Sequence, residues 1–367
     1  MAKVVIIIMA AFMVLGGLDR IFGSRLGLGK AFENGLKTMG ELALSMVGII
    51  VLAPVLAQLL TPIVTPVFRW MGADPAMFAG ILLACDMGGA PLAVELANTT
   101  EAAQLAGIVT ASMLGAAVSF TIPVAMSTLS DADRNSAAKG ILCGIVTVPL
   151  GILAGGLVAG FPFLMILKNA VPIIAVSLLI AIGLWKLEKL LITAFVWFGR
   201  LITAVATVGL VAGGVELITE LTLIPDLGSM TEAFAVVGEI AVVLAGAFPL
   251  IALINKVLKK PLEKAGSLLK MNGTAVSGLV ATLANSFATF GMVKEMDSRG
   301  KVVNMAFAVS GAFVFGDHLA FTAGFDSTMI PSLIVGKLVA GLTAIAIAML
   351  ITRKELENGY QKKSKEI

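Results

Sequence analysis

The chain has 367 residues but only one histidine and two cysteines. Both cysteines, Cys85 and Cys143, lie inside apolar segments, so they form neither a disulfide framework nor a metal-binding pattern. With a single histidine, no catalytic or metal-binding set can be assembled. The glycine-rich segment 23–31 lacks the serine or threonine that binds magnesium in a phosphate-binding loop. These absences argue against an enzyme and against an ATP-driven pump, and they predict no metal and no cofactor.

Charge is also scarce, because only 13% of the residues are charged and the net charge is +3. The basic residues occur in short clusters between apolar segments and form no stripe that follows phosphates, so nucleic acid is not an expected partner. Hydrophobic residues, in contrast, reach 58%, and the mean hydropathy of +1.01 exceeds what a soluble core needs. The composition predicts an all-α polytopic membrane protein surrounded by a lipid bilayer.

Eleven apolar segments are candidates for membrane spans. They cover 3–18, 39–68, 75–97, 103–128, 137–160, 162–184, 200–222, 232–254, 272–294, 302–325 and 328–352. Two of them, 75–97 and 272–294, have polar or glycine-rich breaks at mid-length, so each half is about 17 Å of helix, roughly half of a 30 Å hydrocarbon core. Half-length helices predict two re-entrant hairpins, which leaves about nine transmembrane helices.

The distribution of basic residues favours this topology. With two hairpins, one face of the membrane receives nearly all of them, and the other face receives only Lys3, Arg69 and Lys168. Full crossing by both segments would divide them almost evenly. A single hairpin at 272–294 would also give a bias, and the break at Asp86 decides for two hairpins. The positive-inside rule then puts the amino terminus outside and the carboxyl tail in the cytoplasm.

A weak internal repeat covers approximately 39–160 and 232–352 within a single membrane domain, 1–367. One matched stretch pairs residues 151–157 (GILAGGL) with 336–342 (GKLVAGL). Each copy has the order helix, hairpin, helix, helix, and an odd number of crossings between equivalent starts inverts the second copy. Inverted repeats with broken helices at the midplane are the architecture of secondary transporters.

The first break contains Asp86, followed by Gly88, Gly89 and Pro91. Ionisable residues are expensive inside a membrane and usually mark a pathway or a site. A carboxylate at the end of a half-helix adds to the negative end of the helix dipole, which suits a cation. We expect Asp86 to bind substrate and the other three residues to form a hinge. The alternative is that Asp86 only caps the following half-helix.

The second break contains Asn285 and Ser286, followed by Thr289 and Gly291. The amide and the two hydroxyl groups supply neutral hydrogen-bond donors and acceptors. We expect these three polar side chains to contact substrate and Gly291 to be a further hinge position.

A third polar position lies in the span 302–325, where Asp317 and His318 fall near mid-depth. We expect Asp317 to bind substrate. His318 is either a proton relay, since histidine titrates near neutral pH, or a structural partner. In the structural alternative, Asp317 and His318 pair with each other or with Lys337. The first copy has Pro123 at the equivalent position, so both copies are expected to be interrupted here.

Six stretches of the chain resemble the ethanolamine permease family of the bacterial ethanolamine-utilisation system. They are Asp19-Arg20, MGELALSMVGIIVLAPVLA (39–57), FAGILLACDMGG (78–89), VATLAN (280–285), MDSRGKVVN (296–304) and FGDHLAF (315–321). The likeness covers nearly everything from 4 to 352 and implies uptake of ethanolamine across the cytoplasmic (inner) membrane. The chain differs from the family at Ser286, where family members often have a second asparagine. More distantly, the order of elements resembles concentrative nucleoside transporters.

An ethanolamine permease suits the polar residues found above. Ethanolamine is mostly an ammonium near neutral pH, which matches the carboxylates of Asp86 and Asp317, and its hydroxyl group matches the side chains of the second break. The alternatives are a channel-like facilitator for small polar cations and a carrier of another small solute, such as a nucleoside. The sequence leaves open whether copies of the chain form a homo-oligomer.

Overall fold

The structure is a computed structural model that describes the backbone of residues 2–363. Side chains are described in that range except at 2, 131, 185, 188, 255, 258–268 and 354–363, and the end of the predicted cytoplasmic tail, 364–367, lies outside the described residues. Every regular element within 2–363 is a helix, as the composition predicts.

The first half of the chain contains eight α-helices, several of them joined by wider π-helical turns. The helices are α1 (Ala2–Ile21), α2 (Leu28–Leu42), α3 (Gly48–Trp70), α4 (Met77–Leu82), α5 (Gly89–Leu96), α6 (Thr100–Gln104), α7 (Ile122–Thr128) and α8 (Asp131–Val158). A π-helical turn at Ala43–Val47 joins α2 to α3, and two more, Leu105–Gly115 and Ala117–Thr121, join α6 to α7. The stretches 28–70 and 100–128 are therefore each continuous.

The second half contains a further eight α-helices. They are α9 (Phe163–Lys186), α10 (Glu188–Thr219), α11 (Met230–Leu268), α12 (Gly273–Ala284), α13 (Ser286–Met292), α14 (Ser298–Ser310), α15 (Asp317–Phe325) and α16 (Ile330–Lys363). The central helices α8 and α16 pack on each other and on α14.

Eight helical stretches within the described residues are long and apolar enough to cross a membrane. They are Lys3–Ile21, Leu28–Trp70, Thr100–Thr128, Ala132–Val158, Phe163–Leu184, Lys189–Thr219, Met230–Ile254 and Ser327–Arg353. Their outer faces carry large apolar side chains that water would not tolerate in such number, for example Leu59, Leu179 and Ile218 at 66%, 67% and 82% exposure. The chain is therefore a multi-pass membrane protein.

The remaining predicted crossing, 302–325, is divided into α14 and α15 by an irregular segment at 311–316. Phe313 there adopts a left-handed conformation, with φ of 61°.

The expectation that both copies are interrupted is wrong for the first copy, because 100–128 is helical throughout. Pro123 directly follows the π-helical turn Ala117–Thr121, and this local widening of the helix accommodates a residue without an N–H.

In both broken segments the chain turns back, so that the last residues of the segment lie beside its first residues. The Asn98 backbone N–H and Nδ2 donate to Asp74 Oδ2 at 3.2 and 2.9 Å, although an unbroken helix between these residues would separate them by roughly 36 Å. The second segment is closed in the same way, because the Asn272 N–H donates to Asp297 Oδ1 at 3.0 Å. The two ends of each segment therefore lie side by side. Their re-entry into a bilayer, and the inverted repeat, stay predictions.

Gly88 offers a test of how tightly the first broken segment packs. Its φ is 91°, and a Cβ there would lie 2.0 Å from Ile49 Cγ2. Gly88→Ala should therefore destabilise the protein by about 1–3 kcal/mol or more, which thermal denaturation in detergent measures. Gly291→Ala is the matched control, because a Cβ at that position meets nothing within 4 Å. Equal melting temperatures for the two variants would contradict this packing.

Candidate functional site

The breaks in the helices surround one cavity of about 250 Å³. Its polar lining residues are Thr38, Glu41, Ser45, Asp86, Asn285, Asp317 and His318. Larger clefts of about 430 and 480 Å³ adjoin Asn98 and Thr99, at the joined ends of the first broken segment, and contain neither break. Sites for drug-sized ligands occupy about 300–1,000 Å³, so the central cavity suits a smaller solute.

Asp86 lies in a single 3₁₀ turn, Cys85–Met87, between the end of α4 and the turn at Gly88. Its side chain is 16% exposed, and Oδ1 lies 3.7 Å from Nε2 of His318. The N-cap residue of α5 is Gly88, and no side chain caps that helix. Asp86 therefore does not act as the helix cap that the sequence left as an alternative.

His318 and Lys337 form a buried chain of contacts with Asp86. Nδ1 of His318 lies 3.1 Å from Nζ of Lys337, and the same ammonium donates to the carbonyl of Ser112. A lysine ammonium only donates, so Nδ1 accepts and a neutral ring carries its proton on Nε2, on the side of Asp86. Of the pairings considered from the sequence, the structure shows His318 with Lys337.

Asp317 begins α15 and lines the cavity. Among the described residues its carboxylate has no hydrogen-bond or ion-pair partner. The charged groups that act on it are the carboxylates of Asp86 and Glu41, which repel it. A partly buried carboxylate in this situation favours a cation as its ligand.

The second broken segment presents one of its three predicted polar residues to the cavity. Asn285 is exposed there; Oδ1 accepts from the Phe287 N–H at 2.8 Å, which leaves Nδ2 free to donate. Ser286 and Thr289 are fully buried outside the lining. The Thr289 hydroxyl donates to the carbonyl of Gly278 at 2.8 Å. Contact of Ser286 and Thr289 with substrate stays a prediction.

The predicted hinge positions differ in their surroundings. Gly88 and Gly89 lie at the turn into α5 and Pro91 in its first turn, whereas Gly291 lies inside α13 and interrupts nothing. The break in the second segment is at Asn285 alone, because its extended backbone separates α12 from α13. A hinge role for these residues stays a prediction.

Sequence reasoning missed two further features of the lining. The first is Glu41, which could have been found from the sequence because it is an acidic residue within the apolar span 39–68. The other is a cluster of three rings, in which Phe120 lies 4.9 Å from Phe287 and 5.6 Å from Phe313, between ring centroids. No pattern singles these out among 19 phenylalanines. Aromatic faces attract cations, as carboxylates do.

Three potential metal ligands also meet at the cavity. The ligand atoms of Cys85, Asp86 and His318 lie within 4.8 Å of one another. The Lys337 ammonium is in contact with the same histidine, so a metal cation would be repelled by a charge already present. The donor set therefore fits a metal ion poorly.

These features define a multi-pass membrane protein with ionisable residues around an internal cavity, and such residues in a membrane mark a pathway or a binding site. The family model described as "Ethanolamine utilisation protein, EutH" matches residues 1–351. The chain therefore belongs to this family, as the resemblance in sequence implies.

Curated relatives match nearly the whole chain. The "Probable ethanolamine permease EutH" of Listeria monocytogenes is 52% identical and is aligned over 98% of this chain and 96% of its own length. The protein of the same name in Escherichia coli K12 is 44% identical, with 96% of each chain covered. The "Uncharacterized protein YxeR" of Bacillus subtilis is 47% identical over 95% of this chain and 94% of its own. No solved structure matches the chain. The names of the two probable permeases support a transporter role.

His318→Gln tests whether this residue is structural. Its loss removes one of the two acceptors of Lys337 and the ring N–H that faces Asp86, so we expect the free energy of unfolding to fall by about 1–3 kcal/mol. Thermal denaturation in detergent measures the change. A variant with unchanged stability whose uptake has lost its dependence on an imposed pH gradient would instead identify His318 as a proton relay.

Proposed function

We propose that the chain is a secondary transporter that takes up ethanolamine, or a closely similar small amino alcohol, across the cytoplasmic membrane by alternating access. The observation that carries this proposal is the unpaired carboxylate of Asp317 in a small cavity between helix breaks. The relatives named as probable ethanolamine permeases supply the identity of the cation.

The cavity offers complementary groups to both ends of ethanolamine. Its ammonium is suited to the carboxylates of Asp317 and Asp86 and to the phenylalanine rings beside them. Its hydroxyl oxygen is suited to the free Nδ2 of Asn285. Glu41, which is exposed, adds negative charge at the mouth and raises the local concentration of a cation.

Contacts between distant parts of the chain support the re-entrant hairpin in the second broken segment. Lys301 Nζ lies 2.5 Å from Asp133 Oδ1, and Gln104 Nε2 donates to Asp326 Oδ2 at 2.6 Å. The two-hairpin topology puts each of these pairs on one side of the membrane. Because all four residues follow the first broken segment, only a full crossing by 272–294 would put the partners of each pair on opposite sides. The joined ends of each segment support a hairpin in both segments.

The direction of the cavity is consistent with an inner-membrane orientation in which the amino terminus is outside. Thr38, Glu41 and Ser45 lie on the helical stretch just after Lys37, in the region whose basic residues the positive-inside rule assigns to the cytoplasm. The cavity thus leads from the helix breaks toward the cytoplasmic end.

A carrier suits the lining better than a channel. A channel needs a continuous path of polar groups across the membrane. Next to Asp86, the residues Leu83, Ala84 and Cys85 are apolar and at most 5% exposed. Access from the second side therefore requires these segments to move, which is alternating access.

Asp317→Asn tests the binding site. The change keeps the shape of the side chain but removes its charge, so the half-saturation concentration for ethanolamine uptake in proteoliposomes should rise roughly ten- to hundredfold, or about 1–3 kcal/mol. Asp226→Asn is the matched control, because this exposed residue lies between α10 and α11, away from the cavity. Equal half-saturation concentrations in the two variants would show that Asp317 does not bind the substrate.

Cysteine labelling tests the second hairpin. Lys256 precedes the segment 272–294 and Lys294 is its last residue; both are exposed, and both native cysteines are buried. Single cysteines at these two positions should react with an impermeant reagent only from the cytoplasm. A cysteine at the exposed Lys168 should react only from outside. Labelling of positions 256 and 294 from opposite sides would refute the hairpin.

A further inference from the structure

Lys337 is a charged residue in the buried interior of the protein. Its side chain is 1% exposed, and it lies on α16 where that helix crosses α8. A Cβ on Gly336 would lie 2.9 Å from the carbonyl oxygen of Gly151, so the backbones touch. The repeat pairs Lys337 with Ile152, which is fully buried on α8. An apolar side chain therefore fills the equivalent position on α8, so packing alone does not explain why residue 337 is charged.

The ammonium of Lys337 is held by two acceptors. One is the carbonyl of Ser112, in the π-helical turn Leu105–Gly115, and the other is Nδ1 of His318 at 3.1 Å. A lysine buried this deeply keeps its charge only when a negative charge compensates it, since it otherwise loses its proton. Lys337 does not line the cavity, so a solute in the cavity does not supply that charge directly.

The compensating charge is the carboxylate of Asp86. His318 bridges the two groups, because its other ring nitrogen, Nε2, lies 3.7 Å from Asp86 Oδ1. Lys337 attracts Asp86, whereas the charged groups that act on Asp317 among the described side chains are the carboxylates of Asp86 and Glu41. The two aspartates at the cavity are therefore not equivalent, since one has an internal partner and the other has none.

We propose that Lys337 is the resident counter-cation of Asp86, acting through His318, and that it leaves Asp317 as the carboxylate that pairs with the substrate ammonium. Lys337 is thus a positioning residue that does not touch the substrate. It fixes the proton of His318 on the side of Asp86 and sets the charge of the site for one monovalent cation. The inference rests on the proposed function only where it names the substrate.

The test compares Lys337→Met alone with the same change in two double variants. Loss of the ammonium leaves Asp86 uncompensated, so Lys337→Met should reduce both folded protein and ethanolamine uptake at least roughly tenfold. Adding Asp86→Asn removes the orphaned charge and should restore the folded protein to the level of Asp86→Asn alone. Adding Asp317→Asn removes the same charge from the same cavity and should restore nothing. Ile152→Met, the matched change on α8, should leave folding and uptake near wild type.

Selective rescue by Asp86→Asn supports the pairing. Equal rescue by both aspartate changes, no rescue by either, or a Lys337→Met protein that folds and transports like wild type would overturn it. The amount of monodisperse protein and its melting temperature do not depend on any substrate, so they test the pairing by themselves. Absence of ethanolamine uptake by the wild-type protein would refute the proposed function and leave this result standing.

Discussion

Backbone groups inside a membrane have no water to bond, so every break in a helix must be satisfied by other parts of the protein. The breaks in this chain are satisfied by the elements packed around them. The N–H of Phe313, in the irregular segment, donates to the Thr282 carbonyl at the end of α12, and the N–H of Ala84 donates to the Ser119 hydroxyl. This constraint holds the interrupted helices together, and because polar side chains occur at the breaks, it also gathers them around one cavity.

Three of the predicted binding residues, Asp86, Asn285 and Asp317, line that cavity. They could be found from the sequence because each stands out against an apolar stretch, and because a polar residue at such a place is explained only by a break or a site. The closed ends of the two broken segments follow from the same reasoning about helix length. The basic clusters predicted the topology, and the ion pair between Asp133 and Lys301 independently supports its second hairpin.

The rest of the site depends on which face of a helix points inward, and sequence alone does not fix that. Ser286 and Thr289 are three residues apart and share a face of α13, which packs into the protein and away from the cavity. Glu41 reaches the cavity only because α2 continues into α3 as one helical stretch. From the sequence alone, a carboxylate near the end of a span is expected to face solvent, so its place in the cavity could not be predicted. Apolar lining residues leave no signal, since the same residue types face lipid.

The contact of Gly88 with Ile49 has a mechanical consequence. The turn after Asp86 fits against α3 with no room for a methyl group, so this turn cannot slide along the helix without separating the two surfaces. A displacement of Asp86 that keeps this contact is one in which α3 travels with it as a rigid body. A rearrangement that exposes Asp86 to the opposite side of the membrane therefore either carries the whole helix α3 along or separates this contact.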